Sequence, residues 1–289
     1  MNKANQYLWL LTPLLFTAQP VYAGTGKLLA TAGLTQVEGS GGGGIVPWAT
    51  ISGYDAKGET SVSAFNTQVS VDDYKLHALG LSVGIYDRLE FSVARQTFDL
   101  PSSVIGLGLG NEINQTVYGV KAKLYGDVVY SNWPQISVGL QHKNLSDGAI
   151  AGAIGASDNK QGTDYYLSAT KVHLGAAAGY NLVWNLTARA TKANQMGLLG
   201  FGGAGEDSHK VMLEGSLGIL LSRKIAVGIE YRQKPNNLAA FKEDDWKDIF
   251  ISYTPNKHFN FTLAWASLGN IAVADDQQGI YLSTTGYLW

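Results

Sequence analysis

Apolar and polar residues alternate strictly through much of this chain. In GLSVGIYDRLEFSVAR (80–95), Leu81, Val83 and Ile85 alternate with Ser82 and Gly84. After a Tyr86-Asp87-Arg88 turn, Leu89, Phe91 and Val93 alternate with Glu90, Ser92 and Ala94. A period of two puts one set on each face of a strand. The pattern recurs at 209–222, where Val211, Leu213, Leu217, Ile219 and Leu221 oppose Glu214, Ser216 and Gly218. It recurs again in Ile249, Ile251 and Tyr253, and after a Pro255-Asn256-Lys257 turn in Phe259, Phe261, Leu263 and Trp265. The full reading gives fourteen strands: 26–35, 45–54, 59–69, 75–86, 88–98, 114–127, 134–145, 163–179, 181–193, 209–222, 224–234, 246–254, 257–266 and 279–289.

The connections sort by length. Those at 55–58, 87, 128–133, 180, 223 and 255–256 are short, whereas those at 36–44, 70–74, 99–113, 146–162, 194–208, 235–245 and 267–278 are mostly long. Short periplasmic turns and longer extracellular loops are the habit of outer-membrane barrels. The predicted fold is therefore all-β: an antiparallel up-and-down transmembrane barrel of 14 strands, or 12 if 26–35 and 45–54 pair only loosely. Aliphatic side chains would meet lipid and polar ones the interior. Closure requires 26–35 to pair with 279–289, because an unpaired edge in hydrocarbon leaves backbone groups unsatisfied. Tyr54, Tyr86, Tyr125, Tyr180, Tyr253 and Trp289 would form one aromatic rim, with Trp184 close to it. Trp48, Tyr165, Tyr231, Trp246 and Trp265 would form the other. A change of parity between Tyr165-Leu167-Ala169 and Val172-Leu174-Ala176 suggests a β-bulge near Thr170-Lys171. Arg95, on the lipid-facing parity, would reach the headgroups.

The amino-terminal residues read as a different kind of segment. Lys3, an apolar run from Tyr7 to Thr17, and Val21-Tyr22-Ala23 make residues 1–23 a secretory signal peptide. Residues 24–289 would then be a single barrel domain in the bacterial outer membrane. Removing 1–23 takes away one cation, Lys3, and leaves 20 basic against 23 acidic side chains. That mild balance gives no reason to expect nucleic acid as a partner. Cysteine is absent, which excludes a disulfide-stapled fold. No later stretch reads as a membrane-spanning helix, which needs roughly 20 predominantly apolar residues.

Candidate chemistry is sparse. GFGGAG (200–205) matches a dinucleotide-binding glycine pattern, but a strand pattern follows it where a helix would be needed. The histidines His77, His142, His173, His209 and His258 have no metal-ligand spacing, and no cofactor, metal site or catalytic set is expected. Ser208-His209 would be the start of a barrel hydrolase, except that neighbouring strand residues point oppositely and no orienting third group is evident. The inward parity instead collects Lys121, Lys123, Lys143, Arg189, Glu214, Glu230, Arg232 and Lys234. These could line a lumen or pair across it as a polar plug. Three long loops are unusually apolar. Ile105 and Leu107, Ile150 and Ile154, and Leu198, Leu199 and Phe201 could fold into the barrel mouth or line a site for a hydrophobic solute. Acidic residues around the loops (Asp72, Asp73, Asp147, Glu206, Asp207, Asp244, Asp245, Asp275, Asp276) could bridge divalent ions to lipopolysaccharide phosphates, or simply keep the surface solvated.

Several segments resemble one family. They are GKLLATAGLTQVEGSGGGG (26–44), GIYDRLEFSVARQTFD (84–99), TKANQMGLLGFGG (191–203), EYRQKPNNL (230–238) and PNKHF (255–259). Together they are similar to the Gram-negative proteins grouped as domain-of-unknown-function family 3034. The resemblance implies a secreted outer-membrane protein and carries no activity, substrate or site residue with it. Three functions stay open. The first is a passive channel or uptake pore for small solutes, hydrophobic ones among them. The second is a structural or surface-interaction barrel with a sealed lumen, and the third is a barrel hydrolase. Expected partners are outer-membrane lipid, lipopolysaccharide and, through the terminal Trp289 strand, the barrel-insertion machinery.

Overall fold

A computed structural model describes residues 27–101, 111–158 and 160–288. Twelve antiparallel strands close into one barrel. In chain order they are β3 (Thr60–Val71), β4 (Lys75–Ile85), β5 (Leu89–Asp99), β6 (Glu112–Tyr125), β7 (Gln135–Leu145) and β8 (Gln161–Ala177). There follow β9 (Tyr180–Thr191), β10 (Lys210–Leu220), β11 (Ile225–Arg232), β12 (Trp246–Asn256), β13 (Phe259–Ile271) and β14 (Ala274–Leu288). The alternation works as the sequence implies. Leu81, Phe91, Leu186, Leu213, Ile249, Leu263 and Leu282 stand exposed on the outer surface, while Ser82, Glu90, Ser92 and Ala94 are buried within. A cylinder that is aliphatic outside, polar inside and without free edges is a barrel built for lipid. The protein belongs in the bacterial outer membrane. No helix among the described residues is long and apolar enough to cross a membrane; the strands do the crossing.

The strand count corrects the fourteen-strand expectation. Residues 26–35 and 45–54 are not staves of the wall. Residues 32–55 run inside the cylinder, with 27–31 and 56–59 at its mouth, and they form a two-residue ladder, β1 (Leu34–Thr35) with β2 (Gly41–Gly42). The seam is closed by β3, whose Val62–Val71 pairs with Leu288–Gly279 of β14. The physical reason lies in the residues themselves. In IVPWATISGY neither parity is consistently polar, and Pro47 has no N–H to give a ladder. From Ala32 to Tyr54 every residue is buried, polar and apolar alike. A wall strand would expose every second side chain to lipid.

Three further expectations change. Segment 36–44 is the inner reach of this plug and not an external loop, while β13 and β14 extend through most of 267–278 to meet in a tight turn at Ala272–Val273. Tyr54, Trp48 and Trp246 leave the aromatic rims for the interior. Tyr54 meets Tyr287 edge-on at 5.2 Å. Tyr86, Tyr125, Tyr180, Tyr253, Tyr165, Tyr231 and Trp265 are exposed on the outer surface, and Trp289 lies outside the described residues. The β8–β9 ladder runs unbroken through Thr170-Lys171, and its irregularity falls between His173 and Ala177. Lys171 is buried on the outer side because the 126–134 turn folds over it and offers the carbonyls of Asp127, Val129 and Ser131. The turns at 86–88, 178–179, 221–224 and 257–258 mark one end, the turn end. Segments 146–158, 192–209 and 233–245 mark the other, the loop end.

Candidate functional site: a plugged lumen

The plug rises from the turn end and returns to it. At its base Lys27 bonds Asp55 at 3.4 Å and Asp87 of the β4–β5 turn at 2.9 Å. The Asp87 amide donates to Asp55 at 2.6 Å. Inside, each backbone group of the plug needs a partner in place of water. Wall side chains supply many of them. Glu90 of β5 accepts from the Gly41 amide (3.0 Å) and the Ser52 amide (2.7 Å). Glu230 of β11 accepts from the Gly44 amide (2.7 Å) and the Ile45 amide (2.9 Å). Lys121 of β6 donates to the carbonyls of Gly41 (2.6 Å) and Thr50 (2.8 Å). Ser137 and Gln135 of β7 both reach the Ala49 carbonyl at 2.6 Å, and Thr187 of β9 reaches that of Pro47 at 2.8 Å. Glycine is required where the plug meets Glu230, since a Cβ at Gly43 would lie 1.7 Å from Glu230 Oε1.

Higher in the lumen the plug presents Glu38 to three wall cations. Its Oε2 accepts from Arg232 Nη1 and from its neighbour Gln36 Nε2, each at 2.7 Å. Arg189 Nη2 lies 3.8 Å away, and Lys143 pairs with Oε1. Burial alone would raise the Glu38 pKa, but Arg232, Lys143 and Arg189 together hold it well below the usual carboxylate range. The wall supplies two more acids here. Asp164 of β8 bonds Lys143 at 2.7 Å and Arg189 at 3.3 Å, and Glu214 of β10 grips Arg189 through both oxygens.

Of the eight residues picked from inward parity, Lys121, Lys143, Arg189, Glu214, Glu230 and Arg232 meet the plug or its direct partners. Lys123 lies lower, on Asp87, and Lys234 sits at the loop end on Glu243 at 3.1 Å. Sequence reasoning missed Glu38 because it lies in a glycine-rich stretch that reads as a loop. Glu90 and Asp164 carried the inward-parity signal but not the identity of their partners.

The loop end is closed by a different material. Asn194–Gly197 form a short 3₁₀ turn that dips into the mouth, and Met196, Leu198, Leu199 and Phe201 are buried there. Gln195 and Met196 both hold positive φ, a strained pair tolerated because Gln195 bonds Glu243 and the Asn270 carbonyl. Ile150, within the short helix α1 (Ala149–Ala153), and Ile154, at its carboxyl end, pack half-buried against this cluster. Ile105 and Leu107 lie outside the described residues. Small voids remain among the described residues. One of about 30 Å³ lies between Leu34, Trp48, Val183 and Phe250, and one of about 20 Å³ between Tyr74, Phe98, Met196 and Trp246. GFGGAG belongs to this lid and runs on into β10, with no helix N-terminus to hold a pyrophosphate. Ser208 donates to Glu206 and His209 contacts the Thr163 carbonyl, so the two form no nucleophile–base pair.

These features define a class: an outer-membrane β-barrel filled by its own amino-terminal segment and lidded by its own loops. The chain belongs to the family described as protein of unknown function (DUF3034), whose model matches residues 31–285. No curated protein matches it in sequence. Among solved structures it is similar to the NanC porin (10% identity, TM-score 0.48, covering 79% of this chain and 100% of that one). It is similar also to the KdgM porin (12% identity, TM-score 0.47, 78% and 98%). The outer membrane phospholipase A of Escherichia coli follows at 10% identity and TM-score 0.37, covering 82% and 94%.

Proposed function

We propose that this protein is a barrel sealed at rest, in which residues 32–54 occupy the passage that a porin would leave open. The observation that carries this reading is the complete burial of that segment, with its backbone held by side chains from β5, β6, β7, β9 and β11. On this reading residues 1–23 are removed on export, the turn end faces the periplasm, and the loops face outward, where their acidic residues bridge divalent ions to lipopolysaccharide. The strand ending at Trp289 is the signal for the insertion machinery. The refolded full chain should be electrically silent in a planar bilayer. Steady single-channel steps from the wild-type protein would sink the proposal.

A second reading, regulated passage, draws support from the chemistry of the seal. The plug backbone makes hydrogen bonds with wall side chains and Glu38 makes ion pairs, contacts that water can replace when the segment moves. The double variant Glu90→Gln/Glu230→Gln weakens four of those contacts and should convert silence into intermittent steps.

A further inference from the structure

The Glu38 site has an asymmetry in charge that the wall alone does not resolve. Five consecutive strands, β7 to β11, contribute Lys143, Asp164, Arg189, Glu214 and Arg232. Three are cations and two are carboxylates. All five side chains are nearly or wholly buried. Their mutual contacts fix the geometry: Asp164 sits on Lys143 and Arg189, and Glu214 on Arg189 and, at 3.4 Å, Arg232. The site is complete only when a third carboxylate arrives, and the plug delivers it as Glu38 at the tip of its rise. An uncompensated buried charge is costly, so without Glu38 this cradle would draw in another anion.

We infer that the Lys143–Arg189–Arg232 cradle is a binding site for a small monocarboxylate solute and that Glu38 is its built-in occupant. The inference rests on the proposed seal being able to withdraw. Charge and shape together select the ligand class. One negative charge balances these five side chains, whereas a phosphate dianion would overshoot and face Asp164 and Glu214. The cradle also offers a directed donor, Arg232 Nη1, to one carboxylate oxygen and pairs the Lys143 ammonium with the other, a two-point contact that a spherical halide cannot use. Passage and inhibition then share one site, since the plug competes with the solute for the same cations.

Chemical rescue tests this on the full chain. Glu38→Ala keeps Cβ and vacates the volume of an acetate ion. Its urea midpoint in detergent should fall, and sodium acetate should restore most of the loss, whereas acetamide or sodium chloride at equal concentration should not. Glu38→Gln, which fills the same volume, should show no acetate response, and Glu38→Ala/Arg232→Met should lose it. Equal effects of acetate and acetamide, or none, overturn the inference. Should Glu38→Ala fail to refold, acetate in the refolding buffer is expected to recover the heat-modifiable band, and a yield no better than with acetamide overturns it equally. In the Glu90→Gln/Glu230→Gln barrel, open events should select anions and lengthen in acetate, which holds the cradle against the returning Glu38; cation-selective events or open times unchanged by acetate count against the cradle. A wild-type barrel that conducts would defeat the seal while leaving the rescue result to judge the cradle.

Discussion

The middle of the lumen and its loop end are filled by the same chain with opposite chemistries. In the middle, buried carboxylates, lysines and arginines meet plug amides and carbonyls. At the loop end, Phe98, Leu100, Ile113, Met196, Leu198 and Trp246 form a mainly apolar cluster, with the Lys234–Glu243 ion pair at its edge. Apolar packing stabilises through the volume it fills and tolerates small shifts of partner. A buried ionic cluster stabilises only while each charge keeps its counterpart. The middle is therefore the specific part of the filling and the part most sensitive to a single loss, while the lid is the more forgiving.

Substitutions should separate the two regions, and urea unfolding of the refolded protein measures each. The largest effect is expected from Arg189→Met, which takes a cation from Glu38, Asp164 and Glu214 at once and should cost about 3–5 kcal/mol. Leu198→Ala at the lid leaves a cavity and should cost about 2–4 kcal/mol, with no change in acid sensitivity. Glu38→Gln keeps the volume but loses charge-assisted bonds worth about 1.5–3 kcal/mol. It should also alter the pH profile. The folded pKa of Glu38 is depressed, so its contribution is fully present above the ordinary value of 4.5 and fades as pH falls below it. Wild-type stability should decline on acidification in that range, and the glutamine variant should lack that share of the decline. Gly43→Ala forces a methyl group against Glu230 and should cost about 1–3 kcal/mol, loosening the plug while the lid stays packed. Asp207→Ala removes an exposed partner of Lys192 and should change stability by less than about 0.5 kcal/mol. If Leu198→Ala proved more damaging than Arg189→Met, the contrast between the regions would be reversed.

The wall was legible in the sequence because lipid on one side and polar filling on the other impose a strict period of two. Leu81 to Val93 show it, as do Leu213 to Tyr231. The plug was not, because it is surrounded on all sides and so carries no facial pattern. Pro47 and the glycine run 39–44 were the signals against wall strands, and their force appears once Gly43 is seen against Glu230. Among the candidate charges, inward position followed from parity. Pairing did not, because the partner Glu38 is 105 residues from Lys143 and 194 from Arg232 in the chain. The apolar lid residues were readable as unusual for a loop, though only the fold shows Phe201 pinned to Asp158 by two backbone bonds.

Lys27 and Glu59 lie at the same mouth of the cylinder. The filling is thus a bight of rope pushed into a pipe, with both of its strands hanging from one opening. Drawing it out needs neither a cut nor the passage of a free end through the bore. Traction on Lys27 from that mouth would peel the bight one contact at a time. The twelve staves, zipped to one another on every side, would not have to part.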